Sequence, residues 1–336
     1  LYIFHLSIIR TINLALCGFG YFLSRIFQKP IVLASPYSIT IEPTNRCNLS
    51  CPECPTGIKK LGRSIGDMPI QLFKTIVNQT YKKSIVLLLH FQGEPLLNKN
   101  IVEMLRYATQ KRLITEMSTN ATLINKNLAE NLVENGLKKI VVTVDSPIEK
   151  EYGFYRKGSS LADVIAGISY IQEAKSRLKA KYPLVVFEML VFKKNINHIN
   201  EFKSLGKRVN ADIIRLKTAQ IISEDSKVID NIPFGTRYSR YNLINSNTFV
   251  PVNQNMKSCF VPWSNVTITH DGLLVPCCFD KSASHIMGNV NESTVGEIWV
   301  SVAYRNFRRT LLRNRNDIPL CSECLHGRKK LDYVIG

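Results

Sequence analysis

The distribution of apolar and polar residues changes character twice along the chain. From residue 37 to 217, near-continuous apolar runs alternate with amphipathic stretches joined by short polar segments. YSITIE (37–42), SIVLLLHF (84–91), TEMST (115–119), KIVVTVD (139–145), LVVFEMLVF (184–192) and ADIIRLK (211–217) have the aliphatic and β-branched content of strands. Between them IQLFKTIVNQTY, NIVEMLRYATQKR, NLAENLVENG, LADVIAGISYIQEAKSRL and INEFKSLGKRV repeat their apolar positions with the period of a helix. Apolar strands separated by helices predict a parallel sheet covered on its faces. Six such units make about three quarters of an eight-stranded barrel, so the predicted class is α/β, a partial (β/α)6 TIM-like barrel.

The rhythm stops near residue 218, and SEDSK, NIPFGTRYSRYN and NSNTF read as linker. Beyond it, WSNVTITHDGLLVPCC predicts a hairpin about Asp271-Gly272. Thr294 with Glu297 forms a capping box that opens a basic helix running to about Arg313. A small α+β domain therefore follows the barrel. The expected segments are an apolar helical region 1–35, the barrel 36–220, a linker 221–258 and a C-terminal domain 259–336.

The N-terminal region holds an uncharged stretch, TINLALCGFGYFLS (11–24), flanked by Arg10 and Arg25. It is shorter than the roughly 20 residues a spanning helix needs, which predicts an interfacial or buried helix and makes residues 1–30 a candidate contact with a membrane surface. Cys17 within it reads as a small apolar residue.

Composition narrows the rest. With 336 residues, 45% of them apolar, the chain can bury a large core. A formal charge of +18 favours phosphates, anionic membranes or acidic peptides without choosing among them. The nine cysteines are Cys17 and two tight groups, at 47–54 and 259–324. That is not the pattern of a small disulfide scaffold; it reads as metal ligation in a reducing compartment, which points to the cytoplasm, and the apolar N-terminus makes a peripheral position at the inner membrane face an alternative to a free one.

Cys47, Cys51 and Cys54 follow the first strand in CNLSCPEC. Pro52 and Pro55 oppose a regular helix there, so the three thiols sit on a loop at a strand end, where barrels keep their chemistry. Three ligands leave a tetrahedral zinc one short, whereas on a four-iron, four-sulfur cube they leave one iron free.

CxxxCxxC after a first strand resembles the radical S-adenosylmethionine (SAM) enzymes, in which the free iron is chelated by the amino and carboxylate groups of SAM. The resemblance continues at one strand end after another. Gly93, Glu94 and Pro95 match the family's GGEP element, which receives the methionine amino group, with Gln92 in place of its first glycine. Ser118 and Asn120 fall where the family contacts the ribose or carboxylate. Asp145 and Ser146 follow the fourth strand, and Arg156 is a partner for the SAM carboxylate. Glu53 stands where the family often has an aromatic residue near the adenine.

In the second group, Cys259, Cys277, Cys321 and Cys324 supply four thiolates, with Cys278 beside the second ligand. Four close either a zinc site or an iron-sulfur cube. The surrounding sequence is similar to the SPASM and twitch extensions of radical enzymes, which implies one auxiliary 4Fe-4S cluster. A closed cube would pass an electron; if Cys277 and Cys278 compete and another thiol stays off, an open iron could hold substrate.

The resemblance implies reductive cleavage of SAM to a 5'-deoxyadenosyl radical and hydrogen abstraction from a substrate carbon. It also implies a one-electron reductant such as flavodoxin or ferredoxin. The substrate so implied is a small hydroxylated molecule or a peptide side chain. Lys193, Lys217, Asp212 and Glu188, near the later strands, are candidate bases. The competing reading is a zinc-containing nucleic-acid-binding module. Against it, Arg305, Arg308, Arg309 and Arg313 lack an interleaved series of stacking aromatics beyond Tyr304 and Phe307.

Overall fold

The structure, a computed structural model, describes residues 5–219, 229–245, 248–251, 259–322, 324 and 333–335. Parts of the expected segments lie outside these: residues 1–4, 220–228, 246–247, 252–258, 323, 325–332 and 336. In chain order the elements begin α1 (Ile8–Phe27), β1 (Ser38–Ile41), α2 (Ile70–Thr80), β2 (Val86–Leu89), α3 (Ile101–Gln110), β3 (Ile114–Thr119), α4 (Lys126–Glu134) and β4 (Lys139–Thr143). Next come α5 (Glu149–Tyr155), α6 (Leu161–Arg177), β5 (Leu184–Val191), α7 (Ile199–Arg208), β6 (Ile213–Thr218), β7 (Tyr241–Asn245) and β8 (Thr248–Pro251). The last are α8 (Val261–Ser264), β9 (Asn265–Ile268), β10 (Leu273–Val275), β11 (Gly288–Asn289), α9 (Val295–Trp299), α10 (Val302–Arg313), α11 (Pro319–Ser322) and β12 (Tyr333–Ile335). The predicted β/α alternation is present, and the chain is a mixed α/β protein with a partial barrel.

Two compact units emerge. The first gathers the described residues of Leu1–Arg46, Gly62–Glu116 and Asn255–His326; the second those of Cys47–Leu61, Met117–Gln254 and Gly327–Gly336. In the first, β1 pairs in parallel with β2 on one side, Ile39 opposite Leu87, and with β9 on the other, Ile39 opposite Val266. The hairpin predicted about Asp271-Gly272 forms between β9 and β10, with Gly272 at φ +93°, a conformation that suits glycine. Phe73, Ile76 and Val77 of α2 and Met104 and Leu105 of α3 are fully buried with Ile39, Ile41, Leu87 and Leu89 of the strands. Each such side chain contributes roughly 1.5–3 kcal/mol by leaving water.

In the second unit β4, β5 and β6 are parallel, with Val142 opposite Phe187 and Met189 opposite Leu216. Phe187 of β5 stacks on Phe202 of α7 at 4.5 Å between ring centres. β12 adds an antiparallel edge to β6, and β7 with β8 forms a separate hairpin inside the expected linker.

Two expectations on element limits change. The single helix predicted from Thr294 to Arg313 is two. The capping box at Thr294 and Glu297 is present, but the first helix ends at Trp299. Ser301, in extended backbone, then caps α10, its hydroxyl accepting from Tyr304 N at 3.2 Å. The N-terminal helix is longer than its uncharged stretch, because Arg10 is buried and bonded rather than ending it. No helix among the described residues is long and apolar enough to cross a membrane.

Candidate functional site

In the second unit the three-cysteine loop is folded back on itself. Cys54 N donates to Cys51 O at 3.2 Å and Ile58 N to Cys54 O at 2.9 Å. Gly57 packs against this turn so closely that a Cβ there would stand 2.5 Å from Cys51 O, so only glycine fits. Cys51 is buried, while Cys47 and Cys54 are half-buried.

Arg156 is the charged partner of this loop. Its Nε donates to Asp145 Oδ2 at 2.6 Å and its Nη1 lies 3.8 Å from Cys51 Sγ. Burial works against the guanidinium charge, but Asp145 and the Cys51 sulfur outweigh it and hold Arg156 well above its ordinary value. Burial pushes the Cys51 thiol up, and Arg156 partly offsets this. Asp145 also accepts from Leu190 N at 3.0 Å, so both its oxygens are engaged. Ser146 bonds Glu151 at 2.7 Å and accepts from Ile148 N, shaping the turn into α5. Burial also raises the Glu53 carboxyl.

Asn120, at the end of β3, donates to Asn48 Oδ1 at 2.9 Å and accepts from Thr122 Oγ1 at 2.7 Å; Asn48 Nδ2 in turn donates to Thr122 Oγ1 at 2.9 Å. This closed ring ties the strand end to the loop between the first two cysteines. Asn48 and Thr122 carried no signal as loop residues. Ser118 is half-buried in β3.

Gly93 and Glu94 lie in the first unit. Gly93 has φ +75°, and a Cβ on it would come within 2.6 Å of Thr44 O and Arg46 O. Glu94 N donates to Arg46 O at 2.7 Å, and its buried carboxylate accepts from Leu96 N at 3.1 Å, capping the turn. Beneath this turn is a buried set that sequence reasoning missed. Arg63 donates to both oxygens of Glu42, at 2.8 and 2.7 Å, and His270 N and Nδ1 lie 3.1 and 3.2 Å from Glu42 Oε2. Burial alone would raise the Glu42 carboxyl, but the bonds from Arg63 and His270 hold it below the usual range. Arg63 also faces the Phe91 ring and donates to Lys281 O at 2.8 Å, joining the ends of β1 and β2 to the hairpin region. Nothing in the local sequence marks the set, because its members lie 21 and 228 positions apart.

The second cysteine group also lies in the first unit. Burial raises the thiols of Cys259 and Cys277, and pushes Cys321 up to about 12. Cys259, Cys277 and Cys321 each feel the charge of Cys324, and Cys278, though exposed, acts on both Cys259 and Cys277. Buried Arg315 donates to Cys321 O at 3.0 Å and Cys324 O at 2.8 Å and opposes the rise at Cys259 and Cys321.

Among the described residues no three His, Cys, Asp or Glu side chains close round a single metal ion. What fits a cluster is the donor chemistry: buried and half-buried thiols in two groups, each beside one arginine, whose protons a cationic iron-sulfur core would displace on binding.

Of the basic residues that prompted the nucleic-acid alternative, Arg308 is buried among Trp299 and Tyr304, its Cζ 4.2 and 3.9 Å from their ring centres. It cannot meet a phosphate. Of the candidate bases, Asp212 binds Lys175 and Val185 N, while Glu188 is paired with Arg215 and Lys217.

Comparison with known proteins agrees with this donor chemistry. Residues 41–205 match the radical SAM superfamily, and residues 259–325 match SPASM, an iron-sulfur cluster-binding domain. The chain is 24% identical over 306 residues to the S-adenosyl-L-methionine-dependent 2-deoxy-scyllo-inosamine dehydrogenase of Niallia circulans, covering 88% of this chain and 97% of that one. It is 24% identical over 320 residues to the PqqA peptide cyclase of Rhizobium meliloti, covering 89% and 81%. Streptococcus suis SuiB bound to S-adenosylmethionine shares the fold, with a TM-score of 0.63, 16% identity and coverage of 87% and 73%. The family's cofactors are SAM and a 4Fe-4S cluster, with auxiliary iron-sulfur in the SPASM domain. The chain is therefore an enzyme of the radical SAM superfamily that carries a SPASM domain.

Proposed function

We propose that this enzyme oxidises a carbon bearing a hydroxyl group in a small substrate. The observation that supports the reading is the loop of three thiols with Arg156 held against Cys51 by Asp145, a cluster site with a cation beside it for a carboxylate. When bound, the core cluster and SAM supply a 5'-deoxyadenosyl radical that removes a hydrogen atom from an unactivated carbon.

The chain's residues do the holding. Cys47, Cys51 and Cys54 would hold the core 4Fe-4S cluster through three thiolates, one fewer than a closed cube needs. Arg156 would take the SAM carboxylate through its fork while Asp145 fixes its position and Ser146 shapes the turn into α5. Gly93 and Glu94 receive the amino group, and Ser118 and Asn120 the ribose or carboxylate. Cys259, Cys277, Cys321 and Cys324 would hold an auxiliary 4Fe-4S cluster, which would supply a one-electron acceptor for the oxidation. A flavodoxin or ferredoxin serves as reductant, in the cytoplasm, with residues 1–30 toward a membrane face. The domain limits we assign are 1–35, 36–220, 221–258 and 259–336.

The similarity over nearly the whole length of a dehydrogenase favours a small hydroxylated substrate. A peptide side chain is the second reading, favoured by the similarity to a peptide cyclase. Anaerobic incubation with SAM, reductant and panels of cyclitols, sugars and peptides separates them. Ketone formed in step with 5'-deoxyadenosine supports the first; crosslinked or otherwise modified peptide supports the second. Failure to cleave SAM in any mixture would sink both.

A further inference from the structure

We propose that α1 lies in the plane of an anionic membrane and docks the enzyme there through its outward face. This goes beyond the catalytic reading and does not depend on it.

The helix is built inside out for a water-soluble protein. Its buried stripe is Arg10, Asn13, Cys17, Gly20 and Ser24, spaced as one helix face and mostly polar or small. Every polar member is matched: Arg10 donates to the carbonyls of Tyr81 (2.8 Å), Lys111 (2.9 Å) and Arg112 (2.6 Å). Asn13 exchanges bonds with the Ser35 backbone, and Ser24 accepts from Trp263 Nε1 at 3.1 Å. Gly20 lets the Ile31 carbonyl approach, since a Cβ would sit 3.0 Å from it. The inner face is thus fixed to the protein by polar groups.

The outer face is apolar. Ile8 is 81% exposed, Phe19 52%, Phe22 57% and Ile26 56%, with Ile9, Ile12 and Phe27 also exposed. A surface helix of a soluble protein shows the reverse order. About 30 Å of helix presenting isoleucine and phenylalanine matches the face that in-plane helices bury among lipid headgroups.

Charge decides the occupant. Helix α1 and the segment from it to Ile41 contain no Asp or Glu. The bonds of Arg10 and Asn13 bring segments 81–83 and 111–112 beside the helix, so exposed Lys82, Lys83 and Arg112 flank its first half, and exposed Arg25 and Lys29 end it. A second copy docked on the same face would set these cations against their equals with no acid from the helix to answer them. Anionic lipid answers all of them.

The test is sedimentation of the iron-loaded full chain with phosphatidylcholine vesicles, with and without phosphatidylglycerol. Binding to the anionic vesicles should weaken about tenfold or more in Phe19→Glu/Phe22→Glu and several-fold in Lys82→Ser/Lys83→Ser, and should fall with salt in the unaltered chain. Unchanged iron content and SAM cleavage would show the variants folded. Absence of binding, equal binding to neutral vesicles, or undiminished binding by the phenylalanine variant would overturn the proposal. So would a dimer that this variant converts to monomer without any lipid binding. Because the readout is sedimentation, failure of SAM cleavage leaves it intact.

Discussion

The two cysteine groups solve opposite problems. The first packs three thiols into eight residues on one loop, with one thiol buried, two half-buried and a glycine wedged against the turn. The second draws four thiols from residues 259 to 324, those of Cys259, Cys277 and Cys321 raised by burial, with Arg315 gripping the carbonyls of its CxxC turn. A short loop can present a cluster with an open corner but adds little to the fold. A set gathered from distant chain positions closes its cluster and, in doing so, fixes the segments that carry it. On the proposed ligand sets, the first arrangement would suit reaction at the metal and the second electron storage and stability.

The largest effect should come from removing each group in turn. Cys47→Ala/Cys51→Ala/Cys54→Ala should lower bound iron and sulfide by about half, abolish SAM cleavage and leave the thermal midpoint little changed. Cys321→Ala/Cys324→Ala should also halve the iron but lower the midpoint by several degrees, while SAM cleavage without substrate persists. Calorimetry with anaerobic iron assay checks both; equal destabilisation by the two sets would erase the contrast.

Next in size is the buried pair under the second strand's turn. Glu42→Gln leaves Arg63 sealed without its counter-charge and should cost about 3–5 kcal/mol in denaturant unfolding. Because Glu42 is held below the usual carboxylate range, its stabilisation is present above the unfolded value of about 4.3 and is lost as pH falls through the lower folded value. The variant should therefore lose that part of the acid limb, which unfolding curves below about pH 5 would reveal.

Arg156→Lys should weaken SAM binding about tenfold without changing iron content, since an ammonium cannot serve Asp145 and a carboxylate through a planar fork. Equilibrium dialysis measures it. Smallest is Asn48→Ala, which opens the ring with Asn120 and Thr122 and should cost about 1 kcal/mol of stability.

Much of the fold could be read in the sequence because strands and helices here carry different periods, and each predicted strand lies within a residue or two of its place. The break between α9 and α10 was hidden because Ser301 caps a helix from within an unbroken helical pattern, and its signal is one hydroxyl three residues before Tyr304. The cysteines and the Gly93-Glu94 turn were visible as local spacing. Glu42, Arg63 and His270 were not, since their bonds span 21 and 228 positions and neither partner stands out alone. The inverted face of α1 was hidden for the same reason: its uncharged stretch reads alike whether the apolar side points in or out.

The placement of β1 carries a cost in time. Its second neighbour, β9, pairs Thr40 with Thr267, so one edge of a buried, β-branched strand waits for sequence made far later. At roughly 5–20 residues per second of synthesis, that edge stays open for about ten seconds to most of a minute. During this interval it is a template for wrong partners. Yield in a cell should then depend on translation speed and on chaperones that shield SITI until VTI emerges.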